Sequence, residues 1–233
     1  MAGIVMDVLR NPTKARHSDH FLGEFTRQFW TRALALSTPN APCIQHFIDG
    51  FEEYTTAVAF EAEDRTNKSV RTVWEYLLLR RGTSSSKSIF ALIEFGLDLP
   101  DYVLSHPIVS NLTTTAADLC AITNDLHSYS LEHARGLDGH NIITSIMSEH
   151  NLDLQSALDW LGSLMDGLVA RFLSDMKRLP SWNETIDANL KLYIDSLGHW
   201  VRGNESWCYE SKRYYGELGS HVRKTQLIQL RNP

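Results

Sequence analysis

The chain has 233 residues, of which 43% are hydrophobic, and its net charge is −6 with histidine counted as neutral. This length and content suffice for the core of one domain, which we expect over residues 1–233. The acidic balance argues against a nucleic-acid partner, and no apolar run is long enough for stable membrane insertion.

Apolar residues recur at helical spacing in the first half of the chain, between short breaks rich in Pro, Gly and Ser. Two helices are predicted first, marked by Phe21, Phe25, Phe29 and Leu34 and then by Phe47, Phe51, Tyr54 and Val58. The next predicted helix is Val70–Arg81, which ends in a loop over residues 82–86. A short helix is expected near Ile89–Phe95.

The second half contains three long predicted helices. The first begins at Pro107, because proline is favoured in the first turn of a helix, and runs to about Arg135. Asp153 is expected to cap the second, and the third follows Pro180 and Asn183. The apolar stripe of the third alternates spacings of four and three through Ile186, Leu190, Tyr193, Leu197, Trp200, Asn204, Trp207, Ser211 and Tyr214. Since no segment predicts a strand, we expect an all-α fold, a single helical bundle.

The end of this stripe contains polar residues among aromatic ones. Asn204 and Ser211 lie between Trp200, Trp207 and Tyr214. Most aromatic stripes at helical spacing belong to a core, but polar groups within one indicate that it borders a cavity.

The three cysteines, Cys43, Cys120 and Cys208, are scattered and have no CxxC spacing. This pattern is typical of small core residues in a reducing compartment, and it favours neither a disulfide framework nor a zinc site. The first residues include Asp7 and lack the basic stretch of a secretory signal. We therefore expect a cytoplasmic protein.

Asn124, Ser128 and Glu132 stand at i, i+4 and i+8 in the long helix predicted from Pro107. An α-helix advances about 100° per residue, so these positions fall at roughly 0°, 40° and 80° around its axis. An amide carbonyl, a hydroxyl and a carboxylate therefore share one face. Oxygen donors of this kind suit Mg²⁺, which accepts its other ligands from water and substrate phosphates.

The alternative for these residues is an ordinary solvated polar face. Against it, the same helical phase carries the small apolar residues Ala117 and Cys120 upstream. A polar triplet on a largely buried helix needs partners, because unpaired buried polar groups are costly. The triplet therefore predicts half of a diphosphate–magnesium site.

Three motifs together resemble the class I terpene synthases, and among them the fungal (basidiomycete-type) sesquiterpene synthases, over essentially the whole chain. The triplet that begins at Asn124 resembles the second metal-binding motif of that family. The segment 76–85, with sequence YLLLRRGTSS, is similar to its arginine sensor and effector loop. The segment 200–214 is similar to its C-terminal helix, which carries an Arg–Tyr pair for diphosphate.

The resemblance implies the helical bundle of isoprenoid synthases and the Mg²⁺-dependent ionisation of farnesyl diphosphate, followed by cyclisation of the carbocation. It implies that Asn124, Ser128 and Glu132 hold one Mg²⁺ against the diphosphate. Trp200 and Trp207 would line the hydrocarbon pocket, where a ring face stabilises a cation by about 0.5–2 kcal/mol.

The resemblance also implies that arginine and tyrosine side chains contact the diphosphate. Arg81 would bind and sense it, with Arg80 as the alternative because the motif offers two arginines. Arg213 would donate charge-assisted hydrogen bonds and Tyr214 one neutral bond.

The sequence departs from the family pattern in two places. The aspartate-rich motif is not found, and the acidic clusters at 52–53 and 61–64 stand in a different context. We therefore expect a family member that lacks the N-terminal helices with that motif. In the effector loop, Ser85 stands where the family has glycine. These departures leave an alternative open, in which a catalytically impaired relative acts through partner binding or as a homodimer.

Overall fold

The structure, a computed structural model, describes residues 2–14 and 21–231, which form helices and no strand. The all-α prediction is therefore confirmed. In chain order the helices are α1 (Ala2–Arg10), α2 (Phe21–Leu34), α3 (Pro42–Asn67), α4 (Val73–Thr83), α5 (Ser86–Glu94), α6 (Asp101–Leu104), α7 (Pro107–His133), α8 (Ile142–His150), α9 (Leu154–Met176), α10 (Glu184–Glu210) and α11 (Gly219–Thr225). Among the described helices, none combines the length and the apolar character that crossing a bilayer requires.

Side-chain caps determine where several helices begin. Asp153 accepts a hydrogen bond from the Ser156 amide at 2.8 Å, which confirms the predicted cap of α9. Asn183 caps α10 in the same way. The predicted start of α4 at Val70 was wrong, because Thr72 and Glu75 form a reciprocal capping box that begins the helix at Val73.

The ends of two helices differ from the prediction. Helix α7 ends at His133 and does not reach Arg135. Helix α10 ends at Glu210, with Ser211 as its C-terminal cap. The stripe was predicted to lie on one helix through Tyr214, but Tyr214 lies beyond the end of α10. The backbone of Lys212 has φ 60°, in the left-handed region, and this turn redirects the chain.

Helix α7 occupies the centre of the fold and separates two apolar clusters. Its residues Leu119 and Ile122 pack in one cluster with α4, α8 and α9. Leu112 and Ala116 pack in the other with α5 and α10. Burial of each large aliphatic side chain contributes about 1.5–3 kcal/mol, so both faces of α7 are held firmly in place.

The aromatic stripe of α2 points outward. Phe21, Phe25 and Phe29 are 81%, 62% and 40% exposed, whereas Trp30 is fully buried and donates its indole N–H to the Leu9 carbonyl at 2.9 Å. The helix predicted from the phenylalanines exists, but α1, which the sequence analysis did not predict, packs on the opposite face. Periodicity alone could not choose between two apolar faces.

The three cysteines are free; Cys43 and Cys208 are buried and Cys120 is half-buried. Burial raises the pKa of the Cys43 and Cys208 thiols to about 11 and that of Cys120 to about 12. These thiols therefore stay protonated at neutral pH and behave as small core groups.

The half-buried His46 connects α3 to carboxylates of α5 and α6. The Nδ1 atom of His46 lies 2.7 Å from the Glu94 carboxylate and its Nε2 atom lies 3.3 Å from Asp101. The hydrogen bond to Glu94 raises the pKa of His46, against an opposing effect of burial. Burial also raises the pKa of Glu94.

We expect this pair to make stability depend on pH. A group whose pKa is raised in the folded state stabilises it below the ordinary pKa and loses that contribution as the pH rises through the raised value. His46→Gln should therefore be less stable than the unchanged protein by about 1 kcal/mol at pH 6, with a smaller difference at pH 9. Thermal unfolding across this range measures the difference. His221→Gln, at an exposed histidine, is the control, and a pH-independent difference for His46→Gln would contradict the expectation.

Candidate functional site

Asn124 lies at the centre of a hydrogen-bonded group formed by three helical regions. Its amide nitrogen donates to the Tyr214 hydroxyl at 2.6 Å. Its amide oxygen accepts from Nη2 of Arg80 at 2.8 Å. The structure therefore brings together one residue from each of the three sequence motifs.

Ser128 and Glu132 follow Asn124 on the same face of α7, one and two turns further on, as the spacing predicts. The Ser128 hydroxyl contacts the Asp125 carbonyl at 3.4 Å, and the Glu132 carboxylate accepts from the Asn141 amide at 3.0 Å. Burial raises the pKa of Glu132, although hydrogen bonds from Asn141 and Ser128 oppose this effect. A nearby cation would favour its charged form.

Asp125 holds Arg80 in this group through a buried ion pair, and the sequence did not single it out. It is 3% exposed and accepts hydrogen bonds from the Tyr76 hydroxyl at 2.5 Å and from Nε of Arg80 at 2.9 Å. The backbone N–H of Ile142 adds a third contact at 3.3 Å. The signal available in the sequence was the spacing of Tyr76 and Arg80, which places both on one face of α4.

The two adjacent arginines of α4 have different surroundings. Arg81 forms a bidentate pair with Asp118, with N–O distances of 2.7 and 2.9 Å, and its guanidinium lies 5.4 Å from the centre of the Trp74 ring. Arg80 instead reaches Asn124 and lines the neighbouring cavity. Each arginine thus pairs with a buried aspartate of α7, and Arg80 is the one that lines the cavity beside Asn124.

The cavity beside Asn124 has a volume of about 290 Å³ and two chemically different walls. One wall is polar and includes Arg80, Thr83 and Ser84. The other wall is formed by side chains of α5, α7 and α10, which include the apolar Ile89, Phe90, Cys120, Ala121 and Trp200 and the polar Ser86, Asn124 and Asn204. Ser128 and Glu132 are not among the residues that line this cavity.

The tryptophans of α10 border open space. Trp200 lines the cavity of about 290 Å³ and also a wider depression of about 580 Å³, which it shares with Trp207 and Ile93. Both tryptophans are nearly half exposed. Asn204 between them donates to the Cys120 carbonyl at 3.1 Å, so the polar residue of the stripe does lie at a cavity wall.

Of the Arg–Tyr pair beyond α10, the tyrosine is buried and the arginine is exposed. Tyr214 is 4% exposed, and its ring packs against Trp207 with centroids 6.0 Å apart. Arg213 is exposed, and its guanidinium lies 5.6 Å from the centre of the Tyr214 ring. Burial raises the pKa of Tyr214, so its hydroxyl keeps its proton at neutral pH.

The described residues hold no group of three or more His, Cys, Asp or Glu side chains that is placed to hold a metal ion. The predicted donor set is of another kind, because it contains one carboxylate beside an amide and a hydroxyl. Such a set suits Mg²⁺ only when water or substrate oxygens complete the coordination. The residues present fit a metal that arrives with a phosphate ligand.

Ser85, at the position where the resemblance predicts glycine, adopts φ 57° and ψ 16°. A residue with a side chain in this left-handed region destabilises the folded state by roughly 1–2 kcal/mol. Glycine removes this strain, but its greater conformational freedom in the unfolded state offsets part of the gain. We expect Ser85→Gly to raise the free energy of unfolding by about 0.5–1 kcal/mol. Urea titration measures the change. Ser84→Gly, at φ −73°, should lower stability, and equal effects at both positions would contradict the expectation.

The comparisons with known proteins agree on one family. The family model described as terpene synthase family 2, C-terminal metal binding, matches residues 2–171. The sesquiterpene synthase Agr8 of Cyclocybe aegerita is 50% identical over 233 residues, covering 100% of this chain and 66% of the relative. A Delta(6)-protoilludene synthase of Stereum hirsutum is 42% identical over 229 residues, covering 97% of this chain and 62% of the relative. The chain thus spans just under two thirds of the length of these relatives.

Solved structures show the same fold. The SVS_A2 protein from ancestral sequence reconstruction superposes with a TM-score of 0.75 at 25% identity, over 89% of this chain and 61% of its own. The linalool/nerolidol synthase of Streptomyces clavuligerus gives a TM-score of 0.78 at 23% identity, over 89% and 71%.

Proposed function

Because the chain belongs to the terpene synthase family, we propose that it carries the diphosphate-binding end of a sesquiterpene synthase. The substrate would be farnesyl diphosphate, whose ionisation gives a carbocation that cyclises. The observation that carries the proposal is that hydrogen bonds join Asn124 to Arg80 and to Tyr214, beside a cavity that Asn124 and Arg80 line together with apolar side chains.

Asn124, Ser128 and Glu132 would hold Mg²⁺ through oxygen atoms on one face of α7. When bound with substrate, Mg²⁺ would neutralise the charge that develops on the diphosphate leaving group. Glu132 is the only charged donor of the three, so the metal needs the diphosphate oxygens to bind firmly.

Arg80 would donate to the diphosphate from a fixed position. Its Nε atom is held by Asp125, and its Nη2 atom lies against Asn124, next to the metal donors. A charge that is already oriented needs no reorganisation as negative charge builds on the leaving group. Arg81, which pairs with Asp118, would support α4 against α7.

Tyr214 and Arg213 would complete the diphosphate contacts. The Tyr214 hydroxyl accepts a bond from Asn124 and keeps its own proton to donate to a phosphate oxygen. Arg213 lies outside it at the rim, where its exposed guanidinium would draw an anionic substrate towards the cavity.

The apolar wall would receive the hydrocarbon chain. Ile89, Phe90, Ala121 and Trp200 offer carbon surface next to the polar groups. Such a wall keeps water from the carbocation, and the faces of Trp200 and Trp207 would stabilise positive charge by about 0.5–2 kcal/mol per contact.

The free cysteines support a reducing, cytoplasmic location.

Calorimetry with inorganic pyrophosphate and Mg²⁺ tests the proposed site. We expect pyrophosphate to bind only with Mg²⁺ present, and Glu132→Gln to weaken binding by at least about tenfold, because it removes the one charged donor. Glu205→Gln, which changes a glutamate paired with Arg202 on α10, is the matched control. Equal affinity in the unchanged protein and Glu132→Gln would contradict the proposed metal site.

Turnover is tested separately, by incubation with farnesyl diphosphate and Mg²⁺ and analysis of hexane extracts by gas chromatography–mass spectrometry. A cyclic sesquiterpene product supports the synthase. Binding of pyrophosphate without any product would support the non-catalytic relative instead.

A further inference from the structure

The C-terminal segment Ile228–Arg231 runs back along α7 after α11 ends at Thr225. Its contact with α7 centres on Ser130, whose hydroxyl donates to the Gln229 carbonyl at 3.1 Å and accepts from the Arg231 N–H at 3.0 Å. Ser130 stands on the same helix as Asn124 and is itself buried. One side chain of α7 thus holds the segment by its backbone at two places.

Arg231 connects this segment to the proposed diphosphate site. Its Nη2 atom donates to the Tyr214 carbonyl at 2.8 Å. Tyr214 lies beyond the end of α10, so regular helical hydrogen bonds do not set its position. Its hydroxyl is the group that meets Asn124. A continuous path of hydrogen bonds therefore leads from Ser130 through Arg231 and Tyr214 to Asn124.

The apolar side chains of the segment and of the preceding Leu227 are only partly buried. Leu227, Ile228 and Leu230 are 72%, 41% and 41% exposed. A cavity of about 360 Å³ lies between the segment, the two tyrosines and α11. The polar contacts of Ser130 and Arg231 therefore supplement this partial packing with directed bonds to α7 and to Tyr214.

From these contacts we infer that Ile228–Arg231 is a strap that positions Tyr214, with Arg231 and Ser130 as positioning residues for the Tyr214–Asn124 contact. The inference rests on the proposed function, because it concerns the affinity of that same site for diphosphate. A second anchor limits the expected effect: the neighbouring Tyr215 hydroxyl lies 2.6 Å from Nδ1 of His127. Loss of Arg231 should loosen the turn without unfolding the protein.

Hydrogen exchange followed by mass spectrometry tests the strap without any ligand. Arg231→Ala should speed exchange of the amides of residues 211–218 by about fivefold to tenfold, the effect of losing one partly exposed hydrogen bond. Arg231→Lys, which can still donate to the carbonyl, should restore much of the protection. Arg223→Ala is the matched control, because this arginine contacts Glu210 and Tyr209 instead. Equal exchange in all four proteins would overturn the strap.

Calorimetry with Mg²⁺ and pyrophosphate then tests positioning. Arg231→Ala and Ser130→Ala should each weaken binding by about threefold to tenfold, Arg231→Lys should recover most of the affinity, and Arg223→Ala should match the unchanged protein. Faster exchange with unchanged affinity would overturn the positioning role and leave only a structural tether. If the unchanged protein itself binds no pyrophosphate, the proposed function fails, while the exchange result still decides whether the strap holds the turn.

Discussion

Asp125→Ala is expected to lower the free energy of unfolding by about 3–5 kcal/mol. The carboxylate is almost completely buried and accepts three hydrogen bonds, from Arg80, Tyr76 and the Ile142 amide. Its removal leaves the Arg80 guanidinium, whose side chain is 13% exposed, without a countercharge. It also frees the junction between α4, α7 and α8, so the loss should exceed that of an ordinary surface substitution.

Urea unfolding followed by circular dichroism measures this loss. Asp159→Ala serves as the control, because Asp159 is an exposed aspartate of α9 whose carboxylate accepts from the exposed Gln155, and its loss should stay within about 0.5 kcal/mol. A loss below about 1 kcal/mol for Asp125→Ala would show that water replaces the carboxylate and that the pair is not a structural anchor.

Arg80→Met and Arg81→Met are expected to separate the roles of the two adjacent arginines. Arg80→Met should weaken the affinity for Mg²⁺–pyrophosphate by roughly 10- to 100-fold, which is the range for one or two charge-assisted hydrogen bonds. Arg81→Met should weaken it by less than about threefold, because Arg81, unlike Arg80, does not line the cavity beside Asn124 and its guanidinium lies against Asp118 and Trp74. Calorimetry at one salt concentration measures both affinities.

Both substitutions remove the partner of a buried aspartate, so each variant serves as a folding control for the other. Near-ultraviolet circular dichroism should show native packing at the temperature of the titration. A greater loss of affinity in Arg81→Met would return the diphosphate contact to Arg81 and would require the Arg81–Asp118 pair to open when ligand binds.

Features that depend on short stretches of chain could be predicted from the amino-acid sequence. The spacing of Asn124, Ser128 and Glu132 places them on one face because helical geometry relates positions i, i+4 and i+8 without reference to the rest of the fold. Asp153 and Asn183 are caps for the same reason, since a cap needs only its own side chain and an N–H about three residues ahead. The family resemblance followed from such local motifs and holds over the chain.

The tertiary structure alone decided which partners these residues meet. Arg80 is separated by 45 positions from Asp125, and Asn124 by 90 from Tyr214. Nothing in the string Arg80-Arg81 distinguishes the two side chains, because their roles depend on which buried aspartate of α7 each can reach. The outward face of α2 was likewise decided by where α1 packs. Local spacing sets the direction of a side chain on its own helix, but its partner is set by the packing of helices that are distant in the chain.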